Sequence, residues 1–320
     1  MIKRFTLILL MAAGLYGGDA LAQDPNFTQF YANPLYLNPA FAGTARCPRV
    51  CLNYRNQWPA ISGTFVTMSA SYDQHIRPLS GGIGFLITND RAGEGTLNTL
   101  NASFMYAYQL NVSRGFALKF GAQATYVQKT LDWSKLTFGD MIDPRYGFVY
   151  NTLEQQPNLK KNFVDFSAGI LGYGERFYFG GAVHHLTQPQ QSFYDSNSRL
   201  PMKITGHAGA VIPLTRSRFQ TPSTISPNIL YQRQQAFQQL NLGVYFTRGP
   251  IVGGIWYRNR DSFIVLVGFQ QNIFRFGYSY DVTVSKLTNA TAGSHEFSLS
   301  LVFPCKKPAR RFRTIDCPSF

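Results

Sequence analysis

The chain has 320 residues, of which only 14% are charged and 15% are aromatic, and its 28 glycines and 17 prolines are spread along it. That balance excludes a disordered chain and a long helical array, and a mean hydropathy of −0.13 excludes a bundle of membrane helices. A formal charge of +14 invites nucleic acid as a partner, but the aromatics sit apart from the Arg and Lys clusters and no nucleic-acid-binding signature occurs, so no nucleic acid is expected.

Lys3 and Arg4 precede an apolar run over 5–15, and Ala20-Leu21-Ala22 supplies a small-x-small cleavage pattern. Residues 1–22 therefore read as a secretory signal, with a mature chain starting at or near Gln23. The apolar run is too short to span a bilayer.

Residues 23–48 are not strand-like, because Pro34 and Pro39 would interrupt a ladder. Each Asn-Pro pair pushes Asn33 and Asn38 out of the helical region. The stretch is rich in Phe, Tyr and Leu, so it needs cover from something else.

From 49 to 303 the pattern alternates with period two. Strands are predicted to start near Arg49, Thr64, Gly82, Leu97, Phe116, Phe163, Arg176, Lys203, Thr224, Phe237, Ile251, Phe263, Phe274 and His295. In 274–282 the apolar set is Phe274, Phe276, Tyr278, Tyr280 and Val282; the set between is Arg275, Gly277, Ser279 and Asp281. Such sets face opposite sides of a strand. A soluble sandwich would alternate too, but here the polar set is mostly Gly, Ser, Asn and Thr, which suits a barrel interior. Aromatics near strand ends (Tyr106/Tyr108, Tyr278/Tyr280, Trp256/Tyr257, Phe303) suit the girdles of a membrane barrel.

Connections are tight near 111–115, 172–175, 248–250 and 271–272, and long at 130–162 and 186–202. Short periplasmic turns alternating with longer outer loops give that rhythm; only 213–223 is long on the short side. The fold class is thus all-β: a single transmembrane antiparallel β-barrel of about fourteen strands, an even number, with both chain ends expected in the periplasm. The aromatic segment 23–48 would then fold up into the periplasmic mouth as a plug, the alternative being a segment lying flat beneath it.

The four cysteines, Cys47, Cys51, Cys305 and Cys317, flank the first and last strands. In a closed barrel those strands meet, so all four gather at one seam in an oxidising compartment. Spacings of C-x3-C and C-x11-C with no histidine nearby match no common zinc site. If 47–51 is extended, its ends lie about 13 Å apart, too far for a bridge, so disulfides joining the first pair to the tail pair are expected. The tail, 304–320, carries Lys306, Lys307, Arg310, Arg311 and Arg313 against Asp316. It reads either as a solvated end or as a docking peptide for an acidic periplasmic partner.

No catalytic constellation emerges. His75, His184, His185, His207 and His295 are scattered, and no hydrolase, P-loop or dinucleotide fingerprint occurs. His184 and His185 are adjacent, so as strand residues they should face opposite sides, one inward and the other toward lipid or the girdle. No enzyme activity, cofactor or metal is expected.

One stretch carries a resemblance. Phe27 is followed by Gln29-Phe30-Tyr31, then Asn33-Pro34-Leu35, then Asn38-Pro39-Ala40-Phe41-Ala42-Gly43. This resembles the opening of the PorP/SprF family of type IX secretion-associated outer-membrane proteins of Bacteroidetes, a phrase of the form Q-(F/Y)-x-x-N-P-L-x-x-N-P-A-(F/Y)-A-G. The resemblance implies an outer-membrane barrel of the secretion and gliding system, embedded in outer-membrane lipid. It implies binding of the C-terminal region of a secreted or adhesin protein, and coupling to periplasmic secretion or motor subunits. The alternative is an independent porin or small-molecule transporter, which would differ in having an open lumen.

Overall fold

The computed structural model describes residues 24–45, 47–61, 63–93, 95–194, 198–215, 221–259, 261–284 and 292–304. The expected signal, Cys305, Cys317 and the tail cations Lys306, Lys307, Arg310, Arg311 and Arg313 lie outside them.

Fourteen antiparallel strands form one closed wall. In chain order they are β1 (Arg49–Gln57), β2 (Phe65–Ile76), β3 (Gly81–Ala92), β4 (Leu97–Ser113), β5 (Phe116–Leu131), β6 (Lys160–Gly174) and β7 (Phe177–His184), followed by β8 (Lys203–Ala210), β9 (Ser223–Gln234), β10 (Phe237–Arg248), β11 (Ile251–Arg258), β12 (Ser262–Gln271), β13 (Phe274–Thr283) and β14 (Ser294–Val302). Each begins within three residues of the start read from the alternation. Sequence neighbours pair, and β1 closes on β14 with Arg49 opposite Val302, Tyr54 opposite Phe297 and Gln57 opposite Ser294. Closure pairs every wall strand on both sides, which removes the open edges that invite aggregation.

The wall is apolar outside and polar inside. On β1, Arg49, Cys51, Asn53 and Arg55 are buried, whereas Leu52 and Tyr54 are 44% and 38% exposed. The same inversion runs around the barrel, with Phe85, Ile87, Phe104, Phe120, Val265 and Phe276 all exposed. A water-soluble sandwich would bury this set; a sleeve facing hydrocarbon displays it. No helix among the described residues is long and apolar enough to cross a membrane.

One expected girdle residue belongs to the other face. Trp256 is fully buried inside, edge-on to Phe30 and Tyr245 at 5.0 and 5.6 Å between ring centroids, while Tyr257 points out. Two consecutive strand residues cannot share one face.

The two mouths differ. Tight turns at 114–115, 175–176, 249–250 and 272–273 gather at one end, and the connections 132–159 and 185–202 at the other. The connection 211–222 stays long on the short-turn side, where Ile212–Pro213 pairs with β9.

Candidate functional site

The lumen is occupied by the stretch the sequence singled out. Pro34 opens a one-turn helix, Pro34–Leu37, and Pro39 opens a 3-10 turn, Pro39–Phe41. The residues before them are non-helical as pre-proline residues should be, Asn33 at φ −122° and Asn38 at φ −159°. The result is a kinked rod, 24–44, in which every residue from Phe27 to Thr44 except Tyr36 is buried.

Polar residues of the rod peg it to the wall. Thr28 donates from its N–H and its hydroxyl to one Glu296 oxygen (2.5 and 2.7 Å), and the Gln29 N–H donates to the other (3.1 Å). The Gln29 amide donates to the Glu296 carbonyl (3.0 Å) and accepts from Ser298 (2.6 Å). Asn33 donates to Ser69 (2.7 Å). Asn38 donates to the carbonyls of Ile170 and Gly181 (3.0 and 3.1 Å) while its own oxygen accepts from Ala40 N–H (2.9 Å). Gly43 N–H donates to Asp73 (2.8 Å), whose carboxylate also takes a two-pronged grip from Arg49 (2.8 and 3.0 Å). Lys119 donates to the Ala42 carbonyl. Backbone groups taken out of water need such partners, and Gln29, Asn38 and Gly43 of the motif each supply or meet one.

Apolar residues complete the seat. Besides Phe30 on Trp256, Tyr31 meets Tyr178 edge-on at 5.3 Å, and Phe41 stacks on His207 at 5.2 Å. The wall opposite is cut back to glycine. A Cβ on Gly121 would lie 2.6 Å from the Pro39 carbonyl carbon and 2.7 Å from Ala40 Cα; one on Gly82 would lie 2.6 Å from Gly43 Cα. Only glycine admits so close an approach of backbone to backbone.

Above Glu296 a column of buried charge climbs the wall. Arg55 lies 3.5 Å from Glu296 and 3.6 Å from Asp281, and Arg258 lies 2.8 Å from Asp281 and, at the column's exposed end, 3.2 Å from Asp261. Charges removed from water persist when paired in this way.

The rod runs the length of the lumen. Gly43 sits beside β2 and β3 near the short-turn mouth, whereas Asp24 reaches the long-loop mouth, where its N–H donates to Gln234 (3.1 Å). Asp24, the first described residue, therefore lies at the mouth opposite the one where β1 begins and β14 ends. Over the rod's head lies a cup of about 1080 Å³ that opens at the long-loop end, with Asp24, Tyr36, Lys129, His184, His185 and Lys203 among its lining residues.

Both histidines of the adjacent pair face this cup, contrary to the strand expectation. β7 ends at His184, and His185 takes φ +60°, which turns its ring back inward. His185 donates from Nδ1 to Asp165 (2.7 Å) and from Nε2 to Asp24 (2.8 Å). Burial opposes its charge, but the Asp24 carboxylate and the hydrogen bond to Asp165 raise the imidazole to about 9. Burial likewise pushes Asp24 up, and His185 and Lys203 override this, holding its carboxyl well below the usual range.

The seam departs from expectation at one cysteine. Cys47 is disulfide-bonded, but Cys51 is a free, buried thiol that donates to Ser300 (3.5 Å). It belongs to the inward set of β1, and its neighbours across the two adjoining strands are Ser300 and Ser71. Among the described residues no group of three or more His, Cys, Asp or Glu gathers at metal-binding spacing.

Residues 20–301 match the family described as type IX secretion system membrane protein PorP/SprF. Among curated proteins none matches. Solved structures similar to the chain include a KdgM porin, 6% identical, covering 80% of this chain and 99% of that one at a TM-score of 0.38. A Pseudomonas aeruginosa FadL homologue is 12% identical over 90% of this chain and 95% of its own, at 0.44. The translocator domain of autotransporter NalP from Neisseria meningitidis is 10% identical over 95% of both, at 0.40. Scores of that size carry no argument about what this chain does.

Proposed function

The chain belongs to the PorP/SprF family of type IX secretion system membrane proteins, and from that premise we propose that it is a closed, non-catalytic outer-membrane barrel that holds a secreted or adhesin client and couples it to periplasmic secretion or motor subunits. The short-turn mouth faces the periplasm and the long-loop mouth faces outward, following the loop rule for such barrels. The observation that carries the reading is the rod: a fourteen-strand barrel has more lumen than its own side chains fill, and here residues 27–44 take up that space with buried polar pegs on β1–β2, β6–β7 and β14. A porin that passes small solutes by free diffusion needs an open, water-filled lumen, which such a filling denies.

The test is conductance in planar bilayers. The intact chain should pass almost no current, and a chain lacking residues 27–41 should conduct steadily. Steady current through the intact chain would return the porin reading. The coupling half of the proposal rests on the basic tail. Arg310→Ser, Arg311→Ser and Arg313→Ser together should leave membrane assembly unchanged, because β14 is untouched, yet reduce co-purification of the periplasmic partner. Full partner recovery at elevated salt would leave the tail a mere solvated end.

A further inference from the structure

The rod has a body and a head. The body, 27–44, is buried apart from Tyr36; residues 24–26 are only half-buried and look into the cup. The Asp24 carboxylate lies 2.8 Å from His185 Nε2 and 3.8 Å from Lys203 Nζ. Asp165, on β6, fixes the far side of the imidazole at 2.7 Å, so the ring presents an N–H to the cup. Lys203 is a buried cation; its ammonium donates to Asn26 (3.3 Å) and lies 5.4 Å above the ring of Tyr36. Tyr36 in turn donates to the Pro25 carbonyl. An oriented imidazolium, a buried ammonium and an aromatic floor together make a receptor for one carboxylate. In the structure its occupant is the chain's own Asp24.

We propose that this receptor is a ligand site: the carboxylate of an acidic peptide entering through the long-loop mouth takes the place of Asp24 on His185 and Lys203. The cup's size argues for a peptide over a small acid. At about 1080 Å³ it is at the upper end of ligand sites, and its walls carry Asn101, Gln123, Gln239 and Asn259, amide side chains that pair with peptide groups. The head is suited to exchange because its contacts run through Asp24, Pro25 and Asn26, while the body keeps its separate pegs. An intramolecular carboxylate competes at high effective concentration, so the intact chain binds weakly until the head is displaced.

The inference does not depend on the secretion role and is tested without client or machinery. The purified full-length barrel in detergent is titrated against fluorescein-labelled (Gly-Glu)4, followed by anisotropy. Asp24→Asn, and separately a chain lacking 24–26, should bind it at least tenfold more tightly than the unaltered chain. Adding Lys203→Gln or His185→Gln to either should abolish the gain. Heat-modifiable gel mobility checks that each variant keeps its barrel, and the deletion keeps the test decisive if Asp24→Asn misfolds. A C-terminally amidated (Gly-Glu)4 and an acid-free (Gly-Ser)4 with a free C-terminus separate side-chain from terminal carboxylates, and a gain with either supports the site. Equal binding with and without the head, or a gain that survives removal of His185 and Lys203, overturns it.

Discussion

The head and the body of the rod are held by opposite kinds of force. Residues 27–44 are seated by shape: backbone against glycine, rings against rings, and pegs sealed from water. Residues 24–26 are held by charge at an open mouth. Shape cannot be screened and tolerates no extra atom, whereas charge near water answers to pH and to competing ions. One short segment thus combines a fixed part with a releasable one.

The sharpest way to break the comparison is to add atoms under the body. Gly121→Val should cost about 3 kcal/mol, since its Cβ would overlap the backbone of Pro39 and Ala40. Urea unfolding of the barrel in detergent reads this, and a neutral effect would mean the rod is not seated where the wall is cut back.

Next comes a peg changed without loss of volume. Glu296→Gln turns one acceptor into a donor facing Thr28 or Gln29 and takes the anion away from Arg55. About 2 kcal/mol should be lost, because a buried donor is left without a partner. Hydrogen exchange should rise along the body, and exchange confined to the head would contradict the division.

The smallest effect belongs to the head. His185 has its pKa raised in the fold to about 9, so the stability it contributes is complete below its ordinary value of about 6.5 and is lost as pH rises through about 9. Asp24 is shifted down, so its contribution stands above the ordinary carboxylate range and fails only in strong acid. Protection of the Asp24 and Asn26 amides, measured relative to intrinsic exchange at each pH, should therefore hold at neutral pH and fall on the alkaline side, and His185→Gln should remove that step. The body should show no such step.

Much of this was legible in the residues. Each wall strand announces itself by alternation because the two faces meet different media, as in 274–282. The Asn-Pro pairs likewise forecast the non-helical backbone at Asn33 and Asn38. What period-two reasoning misses is any residue that leaves the strand, and His185 is one: a single positive φ puts it on the same side as His184, where alternation predicts opposite sides. Cys51 and Trp256 differ from expectation because the strand's parity, not seam position or aromatic character, decides the face each takes. The path of the rod was hidden for another reason, since its pegs lie in distant strands. Lone acidic residues on the inward parity, Asp73, Asp281 and Glu296, were the available signal, for a carboxylate inside a barrel must have a partner.

The link between Thr28 and Glu296 spans 268 residues. One partner belongs to the first segment described and the other to the last strand. Contacts so remote in the chain form late, because the whole intervening loop must be ordered before they gain anything. The rod therefore cannot settle fully until β14 has been laid against β1, and its seating becomes a record of assembly: a barrel with its final strand missing or out of register offers Thr28 and Gln29 no carboxylate, and holds its own beginning loosely.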